Sequence, residues 1–445
     1  MYGTKFHRTK LRIEKTVLWM GLLALSSAAA AQVPTPQKPA TRLTVSEAEQ
    51  IAIRNNPNVS VAKLAAIASH EVWRENRSAL MPSAYSNLTA VDTNAGNRIS
   101  AGALNNPIIY ERAAYGATVS QLITDFGRTQ NMVTGARYRA EAQAQTSIAT
   151  NNQIKLAVDH AFYGALGALA VLNVARQTVD SRQLLADQVT ALAQNKLKSS
   201  LDVSFANTNM QQARLLLLDA ENQYDSDLAV LAELLGYQDA RGGFELIDDA
   251  PALSSPPPDV AQLVSEAFTQ RPEVKAQELQ YQAARKLQTA AWEQSLPSIR
   301  ALGAVGQAPV RDVHITSWYG AVGVNVEIPL FTGFRISAQT HEAQFQTEAE
   351  AARLTGLRNA ISRDVRTSWL AANTAFRRLN VTAVLLQQTK LGLDLAQTRY
   401  SLGLGSIVEV SQAQLAETEA EIASARARYD YLLAQAIIRF EIGNF

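Results

Sequence analysis

The chain has 445 residues, no cysteine and a formal net charge of +1. The missing cysteines exclude disulfide bonds and thiolate metal sites, and the balanced charge gives no basis for nucleic-acid binding. The five histidines are too dispersed to form a metal-binding motif. Nucleophile motifs and phosphate-binding loops are also missing from the sequence, so we expect no enzymatic activity and no cofactor.

Residues 1–31 have the order of a secretory signal peptide. A basic leader precedes the apolar run Val17–Leu25, and the small residues Ala28–Ala31 follow it. The alternative is a membrane anchor, but a helix that spans a bilayer needs about 20 apolar residues, and this run is far shorter. We therefore expect export and cleavage next to Gln32.

The rest of the chain follows one plan twice. We assign residues 43–237 to a first repeat and 259–445 to a second, with linkers at 32–42 and 238–258. Residues that recur at matching positions in two parts of a chain are typical of structures built from repeated units. The recurring positions are Pro57 and Pro272, Pro82 and Pro297, Tyr115 and Tyr319, Arg128 and Arg335, Ala206 and Ala413, and Gly236 and Gly443.

Long helices are predicted where proline is missing. All fourteen prolines lie outside residues 108–250 and 330–445, and proline breaks a helix interior at a cost of ~3 kcal/mol. These intervals predict two helical rods, Arg128–Ala193 and Arg335–Tyr400, each about 100 Å long at 1.5 Å per residue. Rods of this length are typical of coiled coils and helical barrels.

Shorter helices accompany each rod. Return helices of about 50 Å are expected at Asp202–Leu235 and Ile407–Phe440, and helices of about 36 Å that begin with proline at Pro57–Leu80 and Pro272–Ser295. A return helix and a proline-headed helix, stacked end to end, are together nearly as long as one rod. These lengths predict a wall of antiparallel helices. Short helices at Ser46–Arg54 and Asp259–Thr269 complete the pattern.

Strand patterns lie between the proline-headed helices and the rods. From residue 318 onward, apolar side chains alternate with small or polar ones, as in a membrane β-strand. A partner strand begins at Ser298, and the first repeat has Ser83–Val91 and Tyr115–Leu122. The alternative is a soluble hairpin. Four strands are too few to close a membrane barrel. If these strands span a membrane, several chains must therefore share one barrel. The apolar face comprises Trp318, Val322, Val324, Val326 and Ile328.

This order of elements resembles the TolC family of outer-membrane efflux proteins, across essentially the whole mature chain. Leu330–Arg335 is similar to the family's strand-to-rod junction, and Thr124–Arg128 is the counterpart in the first repeat. Residues Arg399–Val410 are similar to the second helix-turn-helix tip, and Ala427–Leu432 to the final helix.

The resemblance implies a mixed α+β membrane protein that is a homotrimer. Three chains would share a transmembrane β-barrel, with four strands from each, above a long α-helical coiled-coil barrel in the periplasm. The function implied is an exit duct in the outer membrane for efflux or type I secretion. Its partners would be outer-membrane lipid, a periplasmic adaptor and a proton-driven or ATP-driven inner-membrane pump.

The resemblance also implies a gate at the periplasmic tips. Tyr400 matches a tip tyrosine, Glu409 matches one acidic ring position, and Gln412 replaces the acidic residue of a second ring. Gly405 stands where TolC has its latch arginine, so the latch must differ here. The alternatives are a packing role for Tyr400 and an ordinary solvated charge for Glu409.

Small and apolar residues in the two tip turns predict the docking site of the adaptor. They are Leu197 in the first turn and Gly403, Leu404 and Gly405 in the second. A periplasmic coiled-coil scaffold or adaptor is the alternative function. It explains the rods but leaves the strand at residues 318–328 unexplained. The transported substrate is not encoded in any of these patterns.

Overall fold

The computed structural model describes residues 41–91, 112–237, 244–249, 253–311 and 316–445. The predicted signal peptide and almost all of the first linker lie outside the described residues. The elements of the first half, in chain order, are β1 (Thr41–Leu43), α1 (Val45–Asn55), α2 (Pro57–Ser78), β2 (Ser83–Val91), β3 (Arg112–Thr124), α3 (Arg128–Gln194) and α4 (Ser200–Leu234).

The second half repeats this order of helices. Its elements are β4 (Phe244–Leu246), α5 (Val260–Gln270), α6 (Pro272–Glu293), β5 (Ser298–Val310), β6 (Trp318–Glu327), α7 (Arg335–Ser401) and α8 (Ile407–Glu441). The helices α1 and α5 both have 11 residues, α2 and α6 have 22, α3 and α7 have 67, and α4 and α8 have 35. Each predicted helix is therefore present, with ends within two residues of the prediction.

Both rods begin after two consecutive residues with positive φ. Phe126 and Gly127 precede α3, and Gly333 and Phe334 precede α7. Positive φ is unfavourable for a phenylalanine, because its Cβ crowds the backbone. The same strained geometry at both junctions turns the chain from the sheet into the helical wall.

The return helices stack end to end on the proline-headed helices, as the lengths predicted. Asn56 caps α2 and donates from its side-chain Nδ2 to the carbonyl of Leu234 in the last turn of α4, at 3.0 Å. In the second half, Arg271 lies between the end of α8 and the start of α6, and its Nη1 is 2.7 Å from the carboxylate of Glu441. These contacts join two half-length helices into a column beside each rod.

The largest buried cluster surrounds the middle of α3, with side chains from α1, α4 and α8. By length and composition, α3 contains the one apolar stretch in the described helices that could cross a membrane, but most of that stretch is buried against other helices. It therefore has the burial of a core helix. A second cluster joins α5, α7 and α8, and a third lies at the tips.

Four strands form one antiparallel sheet in the order β2-β3-β5-β6. Strands β3 and β5 are longer than predicted, because their central ladder continues to the pair Ala113 and Val310. One residue of the predicted apolar face, Ile328, lies outside the sheet. The last pair of the β5–β6 ladder is Ser298 with Glu327, and Pro329 directly follows Ile328 without an N–H to extend it.

A second, two-stranded sheet was not predicted. Strand β1 pairs in parallel with β4, three residues on each side. Both strands fall at or within the segments interpreted as linkers. The pair ties the start of the first half to the connection between the halves.

Candidate functional site

The four-stranded sheet has one apolar face. Directly paired residues of neighbouring strands point to the same side, and Val322 pairs with Gly303, which pairs with Val119. Val322 is 94% exposed, and no described part of the chain covers this face. The apolar side chains of this face include Leu88, Ala117, Val119, Ile299, Ala301, Val305, Trp318, Val322, Val324 and Val326.

The opposite face is more polar. Asn325 pairs with Arg300 on this side, and Thr118 and Ser120 follow in β3. Leu302 is an apolar exception. An apolar face that alternates with a polar one is the pattern of a strand between lipid and water. The predicted residues Trp318, Val322, Val324 and Val326 do lie together on the apolar side.

Tyr319 lies across the polar face, above two glycines of the neighbouring strands. In the register, Tyr319 pairs with Gly306, which pairs with Gly116. A Cβ at either glycine would collide with the Tyr319 hydroxyl and with a backbone oxygen. The two glycines are thus required by the position of the tyrosine ring.

Exposed aromatic residues mark the junction between β6 and α7. Phe331 and Phe334 pack edge to face, with ring centroids 5.8 Å apart, and each is 77% exposed. Aromatic residues concentrate at the interfaces of membrane barrels, where an apolar ring meets the headgroup layer. The cluster lies at the end of the sheet where a membrane interface is expected.

At the opposite end of the rods, the two turns have the same construction. Lys196 and Gly403 adopt left-handed backbone conformations, with φ values of 63° and 74°. Their backbone amides bond to the carbonyls of Ala193 and Tyr400, as at other left-handed helix ends. The next helix starts at a serine N-cap in both turns.

Three of the four predicted docking residues are exposed at these turns, and Gly405 is half-buried. Leu197 is 69% exposed and Leu404 is 68% exposed, and each directly follows the left-handed residue of its turn. A Cβ at Gly403 would meet no atom within 4 Å, so the positive φ alone accounts for glycine at this position. Two exposed leucines, one from each turn, form a small apolar surface.

Tyr400 lies inside the tip and not on its surface. It is 7% exposed and belongs to the apolar cluster that includes Val189, Ile407 and Val410. Burial, with a smaller contribution from the carboxylate of Asp202, raises the pKa of Tyr400. Within the described residues its hydroxyl has no hydrogen-bond partner. Within one chain, Tyr400 is therefore a packed residue of the tip core.

Lys198 joins the two turns through this tyrosine. Its Nζ lies 3.7 Å from the centre of the Tyr400 ring and donates to the Tyr400 carbonyl at 3.1 Å. Lys198 and Gly405 occupy equivalent places, because their separation of 207 equals that of Arg128 and Arg335 and that of Ala206 and Ala413. The sequence analysis missed Lys198, although this offset was available to find it.

Glu409 has a cation beside it in the same chain. Its carboxylate is 3.7 Å from Nε of Arg399, and both side chains are about half exposed. Arg399 also donates from Nη2 to the Leu404 carbonyl at 3.1 Å. A Cβ at Gly405 would lie 2.8 Å from the Glu409 carboxylate, so the glycine leaves room for that carboxylate to fold back toward Arg399.

Gln412 is not next to Tyr400. It lines a groove of about 490 Å³ between α4 and α8, whose lining also includes Arg182 of α3. Arg182 is buried and donates from Nη2 to the Gln414 carbonyl at 2.8 Å and to Oγ1 of Thr418 at 3.0 Å. The three predicted gate residues therefore occupy three environments: Tyr400 in the tip core, Glu409 on the surface and Gln412 in the groove.

Within the described ranges, no group of three or more His, Asp or Glu side chains is arranged to hold a metal ion. The site is thus made of an amphipathic sheet at one end of the rods and of two linked turns at the other.

The chain is similar to several outer-membrane proteins. The chain is 23% identical over 399 residues to outer membrane protein TolC of Vibrio cholerae, and the alignment covers 88% of each chain. TolC of Salmonella enteritidis is 27% identical over 123 residues, and there the match spans only a quarter of the relative's length. The solved structure of outer membrane protein VceC from Vibrio cholerae superposes with a TM-score of 0.78 at 18% identity, over 90% of this chain and 96% of that one.

The model of the family described as "outer membrane efflux protein" matches residues 49–237 and 263–444. Together the two matched segments cover most of the chain. The chain therefore belongs to the outer membrane efflux protein family.

Proposed function

We propose that three copies of this chain form an exit duct in the outer membrane that continues into the periplasm and carries substrates outward for efflux or secretion. The single observation that carries the proposal is the four-stranded sheet with an apolar face. A duct of this kind binds no cofactor and catalyses no reaction.

The edges of the sheet favour a shared barrel. Among the strands that the structure describes, the edge strands β2 and β6 each have a neighbour on one side only. Unpaired backbone groups are not tolerated in lipid, so an isolated four-stranded sheet cannot span the membrane. Three chains supply twelve strands, which exceeds the minimum of eight for a closed barrel.

The helices also leave apolar side chains for neighbouring copies to cover. Val61 and Leu64 on α2 are 65% and 64% exposed, and Val381 on α7 is 64% exposed. Large exposed apolar surfaces mark protein or membrane contacts. In a trimer these faces would be buried between the chains of the helical barrel. Further exposed apolar residues of α7 are Leu370, Val384, Leu385, Leu391 and Leu395.

The partners would be a periplasmic adaptor and an inner-membrane pump, driven by protons or by ATP. The adaptor would dock on the tip surface formed by Leu197, Gly403, Leu404 and Gly405. The apolar leucines at the far end of the rods support this placement, since they are left largely exposed by the described part of the chain.

A change of Leu404 to Asp tests the docking surface. A carboxylate on an apolar contact must be desolvated without a partner, so we expect export to be lost while trimers still form in the membrane. Leu404→Met keeps the apolar contact and should retain export. The measurement is dye accumulation in cells that produce adaptor and pump. Normal export by the Asp variant would show that the adaptor docks elsewhere.

Fractionation separates the duct from a periplasmic scaffold or adaptor, the alternative that the sequence left open and that none of the relatives supports. A scaffold would fractionate with the soluble periplasm, whereas a duct would fractionate with the outer membrane. The exposed aromatic cluster at Phe331 and Phe334 favours the membrane.

A further inference from the structure

The groove between α4 and α8 combines an apolar wall with buried polar groups. Its volume of about 490 Å³ lies in the range of small-molecule sites, ~300–1,000 Å³. Leu216 of α4 and Leu415 and Ile422 of α8 contribute apolar surface, whereas Arg182 of α3 and Gln414 of α8 contribute polar groups. A molecule in this groove would therefore contact both helical hairpins of the chain.

Arg182 is a buried cation without a counter-ion in the described part of the chain. It is 6% exposed, and its two hydrogen bonds go from Nη2 to neutral oxygens. Burial lowers the pKa of Arg182, and Glu417 and Glu421 oppose this shift without forming an ion pair with it. Glu421 is instead bound to Lys390 at 3.0 Å. Since a buried charge is costly unless it is paired, the site favours an anion.

Gln414 supplies an unpaired donor and an unpaired acceptor beside this cation. It is 1% exposed, and neither its Nε2 nor its Oε1 has a hydrogen-bond partner among the described residues. The Gln414 carbonyl accepts from Arg182 at 2.8 Å, so the two residues are direct neighbours. A buried amide without partners is unfavourable. It is satisfied by a ligand that accepts one hydrogen bond and donates another.

The remaining polar groups of the lining need no ligand. Asn209 donates from Nδ2 to Oγ of Ser411 at 2.7 Å. Glu419 is the one acidic residue of the lining, and it is exposed, so water and salt screen its charge. The buried polar groups that lack a counter-charge or a partner are thus those of Arg182 and Gln414.

We propose that this groove binds a hydroxy carboxylic acid with an apolar chain. The carboxylate accepts from Arg182 and from Nε2 of Gln414, and the hydroxyl group donates to Oε1 of Gln414. The chain of the acid lies on the apolar wall. Because Arg182 and Gln414 belong to different hairpins, the bound acid links the two. The site lies within one chain and does not depend on the proposed duct function.

Equilibrium dialysis tests the ligand class, with the full-length protein in lipid nanodiscs and 3-hydroxyoctanoate as the probe. Two matched compounds each lack one recognised group: octanoate has no hydroxyl, and methyl 3-hydroxyoctanoate has no negative charge. We expect both to bind roughly 10–100-fold more weakly, because each leaves a buried polar group unpaired. Undetectable binding of 3-hydroxyoctanoate, or equal affinity for any two of the three compounds with the probe among them, would overturn the proposal.

Two variants place the site in the groove. Gln414→Met removes the amide at similar volume, and it should fold as well as the parent because no described residue bonds to that amide. Arg182→Gln removes the charge and keeps a donor. Each should weaken binding of 3-hydroxyoctanoate by about tenfold or more. Arg176→Gln is the matched control and should bind normally, since Arg176 is an exposed arginine of the same helix outside the lining. Parent affinity in Gln414→Met would contradict this site.

Discussion

At the scale of single residues, one lysine side chain joins the two turns at the ends of the rods. Lys198 contacts both the ring and the carbonyl of Tyr400, although the two residues are distant in sequence. Tyr400 in turn packs into the core that holds α7 against α3 and α8. The pair therefore fixes the relative position of the two helical hairpins at their free ends.

Replacing Lys198 with Met should loosen this connection. The change removes a cation–π contact and a charge-assisted hydrogen bond, together worth roughly 1–3 kcal/mol per chain. We expect a higher single-channel conductance in planar bilayers, because the turns separate more easily. Lys196→Met is the control, since Lys196 is an exposed lysine of the same turn. Equal conductance in both variants would show that the contact does not hold the tip closed.

Replacing Glu409 with Gln tests the acidic ring. If the carboxylates of three chains meet in the duct, their charges attract cations, and removal should weaken cation selectivity and block by divalent cations. Arg399 offsets part of each charge, so we expect a moderate change. Glu233→Gln, an exposed position on α4, serves as control. Unchanged selectivity in bilayer recordings would identify Glu409 as an ordinary surface charge.

Residue-level predictions from the sequence depended on local motifs. Glu409 and Leu404 could be selected because they lie in a recognisable turn between two helices. The environment of Tyr400 could not be predicted, since burial and the contact with Lys198 depend on packing between remote segments.

At the scale of elements, most boundaries followed from proline and glycine. Pro57 and Pro272 set the starts of α2 and α6, and Gly236 and Gly443 lie just beyond the ends of α4 and α8 with positive φ. The strands were less predictable. Strand β5 extends because β3 and β6 pair with both of its edges, and β1 and β4 are too short to show an alternating pattern.

The sheet has a strict requirement for glycine at one position. In Gly306→Ala, the new methyl group collides with the Tyr319 hydroxyl and the backbone oxygen of Tyr115. We expect a loss of roughly 1–3 kcal/mol, typical of overpacking, and a lower temperature of heat dissociation for the assembly. Gly303→Ala is the matched control, because its nearest neighbour, the Ala321 oxygen, would be 3.9 Å from the methyl group. Equal dissociation temperatures of Gly306→Ala and Gly303→Ala would contradict the position of the Tyr319 ring.

At the scale of the whole molecule, a single chain has three surfaces that other copies of the chain could cover. Within the described residues, the sheet has two free edges, its apolar face is uncovered, and apolar side chains of α2 and α7 are exposed. The proposed ring of copies would satisfy all three features, because its sheets would form a barrel in lipid and its helices a tunnel below it.

The most direct test is the mass of the purified protein in mild detergent, measured by light scattering with the detergent contribution subtracted. A shared barrel predicts a particle of three chains, stable on dilution, because each sheet needs neighbours on both edges. A folded, stable monomer would contradict the channel, since four strands cannot enclose a pore.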